Sequence, residues 1–475
     1  MDESQKPGST IRRYKLLGLI EELKKDPLQR VVWIVGLLLA GFLVIFLTNN
    51  VVSHINTTTW AYENQRIFPT YPPAGNDFRV GYYWPPMYLL ITKFAAIGPN
   101  GSYPSNYPPL VAFTSLPYML FNDKTAYLVH VGLLVLANLA SLGIAVSLVK
   151  DYVLSKLGIS KPLAGLISLV LFAATTIYIF SSYFYAYSME RGNTDIFAIF
   201  YCLLAVWVLV KQPSKLWLQV ILLSVAVHFK IYPVVLFALL LFKHGKKLIL
   251  PTLVVNLAFL FILGPKIAWG FIQSVTSGGE GAGIGNGWSN IGNHASYSFT
   301  MGIDPTGGDY LTTTFFVIWG IAFMVPLIIW AISALAMVRT KYSEETALWF
   351  FMITVPIMSL LPTVSMDYKL VILGCAIVFL LALILKQFIQ KFSWFDLIQL
   401  ILLIGVLLML SRSYALIDRS LVFIRNKYIW VLLLEACMAV NILRNLAPVL
   451  NNQPKSSFRW MKFGNAKIIP PNTNG

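Results

Sequence analysis

Apolar runs of bilayer length recur along this chain, and they leave it few ways to fold. The first, from Val31 to Thr48, holds no charged residue. About 20 such residues in helical form span a hydrocarbon core, where a helix satisfies its own backbone hydrogen bonds. Further runs lie near 125–149, 163–181, 195–211, 248–264, 313–338, 346–361, 370–385, 396–411 and 428–446. Charged residues make up 12% of the 475 positions and hydrophobic ones 57%, whereas a soluble domain is about 25% charged. Too little polar surface remains to cover a globule of this size. The fold class expected is therefore all-α, a polytopic transmembrane helix bundle of roughly twelve membrane segments.

The formal net charge of +16 is explained by topology. Lys and Arg concentrate in short connections, where they fix orientation rather than bind nucleic acid; the expected partner is membrane lipid. Arg12, Arg13, Lys15, Lys24, Lys25 and Arg30 precede the first run and place the N-terminus in the cytoplasm. Residues 10–27 read as a basic amphipathic helix on the membrane surface, and no cleavage site follows the first run. The expected organisation is a cytoplasmic leader (1–30), one transmembrane bundle (31–446) and a cytoplasmic tail (447–475). Long outer loops are expected at about 49–106 and 265–312, the second a Gly/Asn-rich stretch without helical period. The expected location is a plasma membrane, crossed many times, with the active face outside and both termini inside. Cys202, Cys375 and Cys437 lie within apolar runs and read as buried thiols. Arg412, Arg419, Arg425 and Lys427 fall on the outer side and break the charge rule.

Two segments depart from simple spans. SNYPPLVAFTSLPYMLF (105–121) carries three prolines and reads as a re-entrant or interfacial helix. The stretch 217–243 is apolar at both ends but holds His228, Lys230 and Pro233 at its middle, with basic residues on both flanks. Two short helices dipping in and back, with HFKIYP at the turn, satisfy that pattern. Irregular backbone at membrane depth survives only where it lines a buried or watery cavity.

With this topology five polar clusters fall at the outer ends of spans: NDFR (76–79), MERGNTD (189–195), HFKIYP (228–233), GNHASYSF (292–299) and VSMDYK (364–369). Ionisable residues there are expensive and mark a site. Asp77 is a carboxylate able to deprotonate a hydroxyl, with Glu63 a weaker rival in the same loop. Arg191, Lys230 and Lys369 are cations suited to a phosphate. Arg79, Tyr82, Tyr83, Glu190, Asn193, Asp195, His228, Tyr232, Asn293, His294 and Asp367 complete the candidate substrate-binding set. Structural alternatives stand beside these readings. Asp77 would be a turn residue, Glu190 would pair with Arg191, Asn193 or Thr194 would cap the helix that Asp195 starts, and Asp367 would pair with Lys369. No clustered metal-ligand set such as D-x-D is present, so no metal site is expected, although a divalent ion is left open.

At the same clusters the sequence resembles membrane glycosyltransferases of the C-type fold, in particular glycosyltransferase family 87, the polyprenol-phosphate-mannose-dependent mannosyltransferases. The pieces are DFRVGYY (77–83), YPPLVAFTSLPYMLF (107–121), ERGNTDIFAIFYCLLAVWVL (190–209), HFKIYPVVLF (228–237) and NHASYSF (293–299), in order over residues 31 to about 385. The resemblance implies an inverting transferase with Asp77 as its general base. It would move a sugar, mannose first, from a polyprenyl phosphate to an outer-face lipid, glycan or protein acceptor. The donor would be a substrate, and no cofactor is expected. The rival readings are a transporter or flippase of lipid-linked sugars, since broken helices with mid-membrane charges also mark transporters, and a scaffolding membrane protein.

Overall fold

The computed structural model describes residues 26–55, 75–91, 107–276, 309–340, 342–360, 367–411 and 427–451. The described residues are helical, with no strand among them. The chain runs through α1 (Pro27–Ile55), α2 (Asn76–Phe78), a π turn at Arg79–Tyr83 and α3 (Trp84–Ile91). α4 (Pro109–Ser115) continues as a 3₁₀ turn, Leu116–Leu120, and α5 (Asp123–Tyr152), α6 (Lys161–Ser181), α7 (Tyr183–Arg191) and α8 (Asp195–Lys211) follow. α9 (Leu216–Phe229) and α10 (Phe237–His244) flank a 3₁₀ turn at Tyr232–Leu236; α11 (Ile249–Leu260) and α12 (Pro265–Thr276) come next. The last helices are α13 (Asp309–Arg339), α14 (Glu344–Leu360), α15 (Leu373–Gln390, entered through a 3₁₀ turn at Asp367–Ile372), α16 (Trp394–Leu410) and α17 (Lys427–Asn451).

α15 is the central helix. Every residue from Leu373 to Leu385 is buried, as expected of a helix that is apolar all round. α1, α5, α6, α14, α16 and α17 pack around it. Outer helices keep one face exposed, as α1 does with Val32, Leu39 and Leu43; that face meets lipid in a membrane. Among the described residues five helices are long and apolar enough to cross a bilayer, or up to seven if each of two bent pairs counts as one span. The structure thus supports a helical membrane bundle.

The bent pairs give the fold its polarity. α7 and α8 meet at 106°, and the unit from Tyr232 to Leu260 meets α12 at 94°. α9 ends at Phe229 and the chain turns back through Tyr232–Leu236 into α10, as the HFKIYP sequence suggests. His244 then bonds Gln219 at 2.8 Å, which closes the dip at the end where it began. The bundle so acquires two ends. At one, Lys211 pairs with Asp151 at 2.6 Å, and Glu345 with Lys386 and Lys156 at 3.2 and 3.5 Å. At the other sit Asp77, Arg191, Lys230 and Lys369.

Two expectations need correction or completion. Pro265–Thr276 is a helix, not the start of an irregular loop. Pro at its first position presets the backbone, and Ile267, Ala268, Phe271 and Ile272 recur at helical spacing. Ile267 packs with Leu89 of α3 and Ala112 of α4 in a small separate core. Lys427, one of the outer cations against the charge rule, gives its ammonium to the carbonyls of Met409 and Leu410 at 2.7 and 3.2 Å. It closes the C-terminus of α16, where a cation is favoured. Arg412, Arg419 and Arg425 lie outside the described residues, as do Glu63 and residues 10–25 of the leader. Cys202 and Cys375 are buried and Cys437 half-buried, all free thiols.

Candidate active site

The turn between α7 and α8 is where sequence most directly dictates geometry. The amide of Gly192 bonds the carbonyl of Met189 and that of Asn193 bonds Ser188, both at 3.0 Å. This is a Schellman ending, which requires a left-handed residue; Gly192 supplies it at φ +65°. A Cβ there would lie 2.7 Å from Cβ of Phe78, so only glycine lets the turn approach α2. Asn193 then caps α8, its Oδ1 accepting from the amide of Asp195 at 3.1 Å, whereas the Thr194 side chain makes no capping bond. ERGNTD therefore ends one helix, bends the chain and starts the next.

That bend carries Arg191 and Asn193 to Asp77. Arg191 donates through Nε to Oδ2 at 2.8 Å and through Nη2 to Oδ1 at 2.5 Å, and Asn193 Nδ2 donates to Oδ2 at 3.0 Å. The pair is two-pronged, the strong and directional form of such contacts. A carboxylate offers about four lone-pair sites; three are taken among the described residues, and the fourth is on Oδ1. The Asp77 side chain is 15% exposed, enough to be reached. α2 is fixed from behind by Gly75, whose amide bonds the Glu190 carbonyl at 2.6 Å.

The same turn leads to two lysines, to Lys230 through Thr194, Tyr82 and Tyr107 and to Lys369 through Asp195 and Tyr232. Lys230, in extended backbone just past α9, donates to the Tyr107 hydroxyl at 2.9 Å and lies 4.8 Å from that ring's centre. Tyr107 packs on Tyr82 at 5.2 Å, and Tyr82 hydrogen-bonds Thr194. Burial, then the neighbouring Tyr107, push the Tyr82 phenol well above its usual value; it is a hydrogen-bonding group and no base. Lys369, buried, lies 5.7 Å from the Tyr232 ring centre. The Tyr232 hydroxyl donates to Oδ1 of Asp195 at 2.5 Å, and Asp195 Oδ2 is buried without a hydrogen-bond partner among the described residues. Tyr82 and His130 also border a mostly apolar cavity of about 400 Å³, lined by Ala137, Phe197 and Phe229 and reaching the exposed Leu136.

Other candidates sit differently. Arg79 pairs with Asp123 of α5 at 2.8 Å, and the Tyr83 hydroxyl donates to the Phe121 carbonyl at 3.1 Å. Both anchor the loop helix to the bundle. The Glu190 carbonyl accepts from Gly75, and Arg191 pairs with Asp77. His228 is buried edge-on against Phe259 at 5.5 Å. Asn293 and His294 lie outside the described residues, and Asp367 opens its 3₁₀ turn with its side chain not described. No group of three His, Cys, Asp or Glu able to hold a metal occurs among the described residues. Tyr107, Asp123, Tyr127 and His130 were not singled out in the sequence. The signal was there for three: Asp123, Tyr127 and His130 recur at helical spacing in an apolar helix.

No curated protein is similar enough to count as a relative. Glycosyltransferase family 87 matches residues 106–365, more than half of the chain. That stretch contains the ERGNTD turn, the Lys230 turn and the cavity lining other than Tyr82, while Asp77 and Lys369 lie outside it. This chain belongs to glycosyltransferase family 87.

Proposed function

We propose that the protein is an inverting glycosyltransferase that moves a sugar, mannose first among the choices, from a polyprenyl phosphate to a lipid, glycan or protein hydroxyl at the outer face of a plasma membrane. The observation that carries the reading is the Asp77 carboxylate held two-pronged by Arg191, at a turn whose next residues lead to Lys230 and Lys369. Asp77 Oδ1 takes the proton of the acceptor hydroxyl. The freed oxygen bonds to the anomeric carbon as the bond from that carbon to the phosphate oxygen breaks. The electron pair leaves with the polyprenyl phosphate, whose added charge Lys230 and Lys369 offset. Arg191 and Asn193 orient the base, and Asp195 with Tyr232 sets the position of Lys369. The apolar cavity beside Tyr82 receives the first part of the polyprenyl chain, and the rest trails into lipid. The skew of basic residues to the opposite end supports an outward-facing site.

The test is transfer of label from radiolabelled polyprenyl-phosphate mannose, glucose and arabinose to a crude membrane-lipid extract, with the wild type beside Asp77→Asn. Loss of a base costs about 10²- to 10⁴-fold. Label that moves with the wild type and stalls in Asp77→Asn supports the reading. Equal transfer by both proteins sinks Asp77 as the base. Lipid that equilibrates across vesicles with no transfer from any donor replaces the transferase by a flippase.

A further inference from the structure

One face of α5 carries three polar side chains to which the reaction above gives no role. Asp123, Tyr127 and His130 follow at i, i+4 and i+7, one stripe of the helix. Asp123 holds Arg79, two residues past Asp77. The Tyr127 hydroxyl donates to the carbonyls of Met189 and Glu190 at 2.9 and 3.2 Å. His130 is fully buried, its Nε2 3.0 Å from the Gly192 carbonyl and its Nδ1 2.8 Å from the Tyr118 hydroxyl. A carbonyl can only accept, so Nε2 carries a proton; in the neutral ring Nδ1 is then the acceptor and Tyr118 donates to it. Phe78, Tyr82 and Phe197 pack around the imidazole at 4.8, 5.3 and 5.6 Å and leave it one orientation.

The carbonyl that His130 holds belongs to the peptide joining Gly192 to Asn193. The residues on either side, Arg191 and Asn193, are the two whose side chains grip Asp77. We propose that His130, with its tautomer set by the Gly192 carbonyl and its Nδ1 held by Tyr118, is a positioning residue for the general base: it fixes the left-handed turn and through it the direction of the Asp77 carboxylate. This inference rests on Asp77 being the base. His130 touches no reacting atom, so its effect belongs in turnover rather than in donor binding, because a displacement of about 1 Å at the chemistry can cost on the order of 100-fold in rate.

The experiment compares full-length, purified wild type with His130→Phe, His130→Gln, Tyr118→Phe and Asp77→Asn. Glutamine keeps an amide donor within reach of the Gly192 carbonyl, and phenylalanine keeps the ring without it. Amide hydrogen exchange is read over residues 188–195, and transfer is read with the same three labelled donors and lipid extract. In His130→Phe, exchange over the turn rises and kcat falls on the order of 100-fold at nearly constant donor KM and Tm. His130→Gln recovers most of both, and Tyr118→Phe falls between. Unchanged exchange in His130→Phe overturns the proposal, as does a glutamine variant no faster than the phenylalanine one, or a loss shared by KM and Tm. If Asp77→Asn is dead while His130→Phe turns over normally, only the positioning role falls. If Asp77→Asn stays active, the base assignment falls and takes this inference with it. Should the wild type use no donor, the proposed function fails, and the exchange arm alone decides whether His130 holds the turn.

Discussion

Gly192 shows how much rests on one missing Cβ. Its φ of +65° is left-handed, and an alanine there would meet Phe78, the neighbour of Asp77. A residue with a Cβ in that conformation costs about 1–2 kcal/mol before any clash. Gly192→Ala is therefore expected to lower the Tm measurably and to cut transfer far more than the Tm change explains, since the strain falls on the base's own segment. Wild-type activity with a lowered Tm would show that the turn can relax without moving Asp77. The second residue-scale expectation concerns Arg191. Arg191→Ala leaves the Asp77 carboxylate with Asn193 as its remaining donor of the three contacts, and a charge stripped of its hydrogen-bond partner costs about 1–3 kcal/mol or more. The double variant Asp77→Asn/Arg191→Ala removes charge and counter-ion together, and its Tm should lie above that of Arg191→Ala alone.

Among the elements, the loop helix formed by α2, the π turn and α3 is held to the bundle by the buried Phe78, Tyr82 and Leu89 and by side-chain ties. The Arg79–Asp123 pair is the tie most open to test. Arg79→Asp and Asp123→Arg should each reduce turnover, and the swap should restore part of it. Recovery will be incomplete because Asp123 also sits in the first turn of α5, where a cation opposes the helix dipole by about 0.3–1 kcal/mol. No recovery would mean that the two charges act separately. The cavity beside Tyr82 makes another element-level prediction. Ala137→Trp fills it from α5 and should raise KM for long-chain polyprenyl donors while sparing water-soluble donors with a chain of two isoprene units. An equal loss for both would place the chain elsewhere.

The elements also show where sequence was sufficient. The break after Phe229 was legible because His228, Lys230 and Pro233 cannot sit in an unbroken apolar helix, and ERGNTD announced its bend through Gly192 and a capping Asn193. Asp77, Arg191 and Asn193 were all candidates, but their union was not readable: 114 residues separate Asp77 from Arg191, and nothing local encodes which carboxylate a distant arginine will choose. α12 was missed because the glycine-rich residues after it dominated the reading of the whole stretch. Of the roughly twelve membrane segments expected, five to seven crossing helices stand among the described residues, where other apolar runs form helices of 10–17 residues.

At the scale of the whole molecule, the alternation of α5, α8, α9 and α15 separates a polar site end from a basic end. Trp84 at the first and Lys215 and Lys247 at the second are exposed. Cysteines at these positions, read with a membrane-impermeant maleimide on intact cells, should react at Trp84→Cys and stay silent at Lys215→Cys and Lys247→Cys until the membrane is opened. The reverse pattern would turn the site inward and sink the outer-face acceptor. Labelling of all three from outside would contradict the dip of α9 and α10.

The 114 residues between the carboxylate and its arginine also set an order of assembly. At about 5–20 residues per second of synthesis, Asp77 leaves the ribosome several seconds before Arg191, and longer still before Lys369. During that interval the acid lacks the arginine that grips it, while Arg79 and Asp123, which tie its segment to α5, are already made. The grip on Asp77 is thus a late product of biogenesis, completed only when the turn at Gly192 arrives to claim a carboxylate that has been waiting for it.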